Sequence, residues 1–514
     1  MAHSELLSKL RSAIKTAIFL NNNKDISIEE LAKIKNQKRL SRRTFLKSSL
    51  VTGGLLLPSR YVFAKDRLSP KVVIVGAGIS GLNAAYKLKK AGIYAKVFEA
   101  SKRTGGRILT VKNMIAEGST TEFGAEFIDS GHSEMHGLVK EFGFDLVDVQ
   151  RPGERDYKDT YFFGGKIHSE KEFIEEIKPF ADQLNTDFTY YANQNMEMLK
   201  KFDKLSIAEY LKKVGISGWV YDLLDAAYCT DFGADIDEQS AINFIDFALI
   251  KQPEKELIMF GESDERFKIK GGNQMIVDQL YHRVREQVKL EHILESVTSN
   301  GSGYKLGFQM PNGSVSEVNA DYLILAIPLS ILKEIKFKVD LPPGKKKAIH
   351  EIPMGKNDKF FVGFKDKPWR EKGLNGNFYT DESFQCGWDH TRLQKAKEAG
   401  YTFFLGGRRV TQAKLTAEQT LKYVNELNKA YPEVKDLYTG KRNYSNWCGN
   451  KYIKGSFSVF LKGQKMGLAQ ELKKPVGNIF FAGEQASMED NGYMNGGAET
   501  GRTSAEAIIK RIKR

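Results

Sequence analysis

At 514 residues, with 41% hydrophobic and 28% charged residues, the chain has the composition of an ordinary folded protein and length for two domains. The formal charge of +14 does not indicate nucleic acid: residues 1–70 hold 14 Lys/Arg against 5 Asp/Glu, and no basic stripe interleaved with aromatics follows. No run approaches the roughly 18 apolar residues of a membrane span, and the eight histidines and the separated Cys229, Cys386 and Cys448 show no metal-ligand spacing, leaving room for at most one disulfide.

In chain order, Leu6, Leu10, Ile14, Ala17 and Ile18 recur at helical spacing and predict a short amphipathic helix. Ser41-Arg42-Arg43-Thr44-Phe45-Leu46-Lys47, the apolar stretch to Leu57 and the small-residue ending at Ala64 then resemble a twin-arginine export signal. That resemblance implies passage through the twin-arginine machinery to the periplasm as a folded protein, with cleavage after Ala64.

Lys71 to Val75 is a β-branched run with the pattern of a buried parallel strand, and it leads directly into Gly76-Ala77-Gly78-Ile79-Ser80-Gly81. Leu82, Ala85 and Leu88 predict a helix that stops at Gly92, and a second strand, Tyr94 to Phe98, ends on Glu99. Each part suits a dinucleotide. Gly76 permits a tight turn, Gly78 lets amides approach a pyrophosphate, Ser80 stands in the first helical turn, and Gly81 lets the helix pack closely. Glu99, 18 residues beyond Gly81, is placed to accept the ribose hydroxyls.

The continuation Glu99-Ala100-Ser101-Lys102-Arg103-Thr104-Gly105-Gly106-Arg107 resembles the E-x-x-x-R-x-G-G-R signature of the flavin amine oxidase family. Further matches follow in order: Thr121 to Phe127, Lys270-Gly271-Gly272-Asn273, Val297, Leu325-Ala326-Ile327-Pro328, Phe480-Phe481-Ala482-Gly483-Glu484, and Gly492 to Ala498. The resemblance covers almost everything after residue 70. It implies an α/β fold in which a Rossmann-like FAD-binding domain (66–131, 266–345 and 441–514) interleaves with an α+β substrate domain (132–265 and 346–440), after an N-terminal extension and signal over 1–64.

The resemblance also implies roles. Arg107, Gly124, Ala125, Glu126, Val297, Trp447, Glu484 and Met494 join Gly76, Gly78, Ser80, Gly81 and Glu99 as FAD-binding positions. Val297 lies against the adenine, Glu484 accepts from a ribityl hydroxyl, and the helix start near Met494 faces the flavin pyrimidine. Lys359 matches a lysine holding a water near flavin N5, and alternation along Lys359 to Phe364 lets a strand aim it inward. Phe457 and Tyr493 fall where two rings flank an amine. Ser456 stands where animal monoamine oxidases carry a flavin-linked cysteine, so FAD is expected to be non-covalent.

The expected reaction is oxidation of a primary or secondary amine to an imine, with oxygen or another acceptor regenerating the flavin and peroxide formed from oxygen. Glu126 near the pocket favours a cationic amine, whereas no arginine stands in that loop to clamp a carboxylate. An L-amino-acid oxidase and a dehydrogenase with a protein acceptor remain alternatives, as does a flavoprotein without turnover. The aromatic stretches Tyr157 to Phe163 and Ala241 to Phe247 are candidates for an apolar pocket lining or for core.

Overall fold

Val72–Val75, the β-branched run before the glycine loop, is buried at every position and lies at the centre of a five-stranded parallel sheet. Tyr322–Leu325 and then Ile479–Phe481 extend it on one side; Ala95–Phe98 and Val288–Lys289 extend it on the other. The strands come from three separated stretches of chain. The computed structural model describes residues 5–23, 26–31, 70–246, 264–412 and 416–513; the twin-arginine run and Ala64 lie outside them.

Both faces of this sheet are covered, as a parallel sheet of continuous apolar strands requires. Val72 and Ile74 point to the core under the helices Ile79–Lys90, Gln274–Val284 and Met494–Ile512. Val73 and Val75 point the other way, to Leu294, Val297 and Phe308 of a second sheet of four strands. The two-residue period of a strand thus divides one short run between two cores. The observed strands begin at Val72 and Ala95, one residue later than the sequence pattern suggests.

A seven-stranded mixed sheet forms the other half of the molecule. In spatial order it runs Tyr438–Tyr444, Asn357–Phe364, Ala399–Gly406, Cys386–Asp389, Leu374–Thr380, Lys158–Phe163 and Lys166–His168. One face packs on Tyr423, Val424 and Leu427 of the helix Ala417–Asn428, the other on helices between residues 170 and 232. Phe162 and Phe163 fall in these two cores, as do Ile242, Phe244 and Ile245 in one of them. The two aromatic stretches are therefore packing residues, with Phe247 outside the described residues. The three cysteines are free thiols. No helix among the described residues is long and apolar enough to cross a membrane.

Two close backbone approaches fix the cofactor half. A Cβ on Gly81 would stand 1.9 Å from the Gly76 carbonyl oxygen, and one on Gly501 would stand 2.1 Å from that of Ser80. Only residues without a Cβ let the glycine loop, its helix and the C-terminal helix meet at this point. Gly501→Ala is expected to push the C-terminal helix off the loop, at a cost of ~1–3 kcal/mol of stability, typical of overpacking. Differential scanning calorimetry of the holoprotein, which should show a lower melting temperature, checks this.

Candidate active site

A cavity of about 480 Å³ runs from the glycine loop to the edge of the seven-stranded sheet. At one end, Gly76, Gly78 and Ser80 line it where the helix Ile79–Lys90 begins. The helix has no side-chain cap at Gly78, which suits a terminus presenting its amides to an anion. The Ser80 hydroxyl is buried without a hydrogen-bond partner. Gly81 does not line the cavity; it serves the packing just described. Glu99 closes this end, its oxygens accepting from the Ala77 and Ser101 amides at 2.7 and 2.9 Å. Each oxygen keeps a second lone pair for a hydroxyl.

Arg107 and Glu484 hold the middle. Their side chains meet at 2.9 Å, and Arg107 also donates to the Ser456 carbonyl. Glu484 further accepts from the Ser458 amide and hydroxyl (3.1 and 2.9 Å) and from the Gly492 amide (3.1 Å). Arg103 also lines the cavity but donates to the carbonyls of Thr104, Gly106 and Ile108, fastening its own turn. Gln485 is a lining residue that the motifs did not single out. Its amide nitrogen donates to the Ile327 carbonyl, and its carbonyl oxygen is buried without a partner.

At the far end Gly124, Ala125, Lys359, Trp447, Phe457, Tyr493 and Met494 line the wall. Trp447 is fixed by its indole N–H on the Phe123 carbonyl (2.8 Å). Tyr493 is the N-cap of the helix Met494–Ile512, in extended conformation, and sets its ring edge-on to His132 at 4.8 Å. Burial pushes His132 down to about 3, so it is a neutral neighbour. The Ser456 hydroxyl donates to the Asn357 side-chain oxygen at 2.7 Å.

Lys359 projects from the fully buried strand Asn357–Phe364. An ammonium has three N–H donors, and three acceptors surround this one: the carbonyls of Glu122 (3.2 Å) and Gly124 (2.9 Å) and the Glu126 carboxylate (2.8 Å). No donor remains for the water that the resemblance implies. Lys359 fastens the Glu122–Glu126 loop against the cavity wall.

The readings of Glu126 and Val297 need correction. Glu126 does not line the cavity; its carboxylate also meets Lys268 at 2.6 Å and accepts from the Trp388 indole at 3.0 Å. Burial pushes this carboxyl up, but Lys268 and Lys359 overcome it and hold it at about 2. One carboxylate shared by two lysines offers no charge to a cationic amine. Val297 is fully buried in the core between sheets, and the cavity wall there is His292, Ile293 and Leu294. A register irregularity between Leu294 and Ser296 shifts the strand relative to its partner, which the motif could not reveal.

The flavin-containing amine oxidoreductase family model matches residues 79–509. The chain belongs to that family. It is 25% identical over 456 residues to a flavin-containing amine oxidase of Danio rerio, covering 85% of each chain. It is 26% identical over 477 residues to an L-amino-acid oxidase of Demansia vestigiata, covering 86% of this chain and 88% of that one. Cyclohexylamine oxidase from Brevibacterium oxydans superposes with a TM-score of 0.73 at 23% identity, and putrescine oxidase bound to putrescine with 0.72 at 20%. These structures cover 87% and 86% of this chain and all of their own, and show the shared fold.

Family membership makes this an enzyme that uses FAD, and the cavity fits that cofactor. The orphaned Ser80 hydroxyl at the uncapped helix start suits the pyrophosphate, Glu99 has lone pairs for the adenosine ribose, and the orphaned Gln485 carbonyl oxygen can accept a further hydroxyl or N–H. FAD supplies the two-electron acceptor for oxidation at a carbon bearing nitrogen.

The lysine–carboxylate cluster has a pH signature. Because Glu126 is depressed, its stabilisation is complete above about 4.5 and is lost as pH falls toward 2. Glu122, buried in the same loop, is pushed up to about 7; its contribution is complete below about 4.5 and lost as pH rises to about 7. Glu126→Gln is expected to cost about 3–5 kcal/mol at neutral pH, as for a broken buried pair, and to flatten the acid limb of a denaturation-versus-pH curve. Glu122→Gln should instead flatten the limb between pH 4.5 and 7.

Proposed function

We propose that this flavoenzyme oxidises a primary or secondary amine to an imine, with molecular oxygen as acceptor and hydrogen peroxide as product. The observation that carries the substrate reading is the absence, among the described lining residues, of an uncommitted interior cation for a carboxylate. Arg103 is tied to carbonyls, Arg107 to Glu484, and Lys359 to Glu126, while Lys451 stands at the exposed rim over the Tyr452 ring at 4.7 Å. An amino acid brought here would bury its carboxylate unpaired. The preference for an amine thus rests on the missing clamp, since Glu126 is neutralised.

In this reading Phe457 and Tyr493 orient the amine between two rings, Lys359 positions the loop against the flavin, and the start of the Met494–Ile512 helix turns its positive end toward the cofactor. FAD is held non-covalently, because Ser456 has no thiol. The parallel sheet belongs to a cofactor unit (66–131, 266–345 and 441–514) and the seven-stranded sheet, except for residues 441–444 of its edge strand, to a substrate unit (132–265 and 346–440). The twin-arginine run supports export of the folded holoenzyme to the periplasm. The L-amino-acid oxidases among the relatives favour one second reading, oxidation of an amino acid.

A peroxide-coupled screen of amines beside their α-carboxylated counterparts tests the reading: peroxide from amines is expected, and peroxide only from amino acids would refute it. Phe457→Ala should lower kcat/KM on the order of 10-fold or more by loosening the amine's orientation. Lys359→Met should slow flavin turnover while FAD stays bound, measured as the 450 nm absorbance that survives gel filtration. In guanidinium the wild-type flavin should separate from the chain.

A further inference from the structure

Glu5–Asn22 forms an 18-residue helix that precedes the matched region, which begins at residue 79. Leu6, Leu7, Leu10, Ala13, Ile14, Ala17 and Leu20 are all buried, the wide apolar stripe of a helix seated in a core. They join the core of the substrate half and pack on the helices Glu170–Ile177, Ala181–Ala192 and Gly218–Phe232. Only a small gap of about 10 Å³ separates Leu10 and Ala13 on this helix from Phe173 and Trp219 opposite. Leu31, further along, is buried in the same core.

Charge complementarity is as specific as the apolar fit. Lys9 donates to Asp159, whose side chain is 2% exposed, and Arg11 stands 3.9 Å from Asp246, which is fully buried. Burial pushes Asp159 up, and Lys9, with Asn375 and Asn377, brings it below the ordinary carboxylate range. Asp246 stays raised by burial even with Lys465 at 3.6 Å and Arg11 beside it, so loss of Arg11 would aggravate an already strained charge. The body beneath the helix is therefore built with acids that the helix answers.

We propose that this helix is a permanent element of the catalytic body and not a discarded leader. A cut between residues 31 and 70, including one after Ala64, then yields a two-chain enzyme with the N-terminal peptide still seated on the substrate half. The proposal is independent of the amine reading.

The test is to place a specific protease site between residues 32 and 69 of the full chain, cut the FAD-loaded protein, and pass it over a gel-filtration column. The N-terminal peptide, followed by mass spectrometry, should co-elute with the body, and the melting temperature should match that of the uncut protein. A Leu7→Asp, Ile14→Asp double variant should release the peptide after cutting and lower the melting temperature before it. Separation of the wild-type peptide from the body, whether that body stays soluble or precipitates, would overturn the proposal. So would a double variant whose melting temperature and peptide retention match the wild type.

Discussion

Arg107 and Glu484 are 377 residues apart in sequence and 2.9 Å apart in space, and the site depends on that contact. Arg107 lies on the loop that continues the first dinucleotide unit; Glu484 follows the last strand of the parallel sheet. Between them they collect the Ser456 carbonyl and the backbone near Ser458 and Gly492. The phosphate end, the middle and the aromatic end of the cavity thus become one surface only when both ends of the chain have folded onto the same sheet. A mostly buried carboxylate with this many donors has little freedom to swing away, which keeps the cavity pre-formed for a large cofactor.

A second cluster sets the electrostatic character of the opposite wall. Glu126 is shared by Lys268 and Lys359, so the one ammonium of this cluster that lines the cavity is already answered by a carboxylate. Glu122, pushed up to about 7 by burial in the same loop, changes charge near neutral pH. Sequence places an acid near the pocket; the lysines that neutralise it come from strands more than 100 residues away.

What could be read in the sequence was local or repeated in order. The Gly76–Gly81 loop, Glu99, Arg107, Lys359, Phe457, Glu484 and Tyr493 sit in short motifs whose spacing carries their chemistry, and all but Ala77 and Gly81 of these line the cavity. Val297 lies away from the wall because a register irregularity decides which strand residues meet it. Gln485, an amide next to Glu484, has no distinctive spacing in sequence; its orphaned oxygen is visible only in three dimensions. The N-terminal helix was legible as amphipathic, but its partners, Asp159 and Asp246, could not be named from its own residues.

The most direct test of the whole account is anaerobic mixing of the yellow holoenzyme with matched pairs, each an amine and its α-carboxylated counterpart, with the flavin absorbance followed by stopped flow. Rapid bleaching by an amine and slow or no bleaching by its amino acid is the predicted result. Bleaching by the amino acids alone, or by no member of a broad panel, would contradict it.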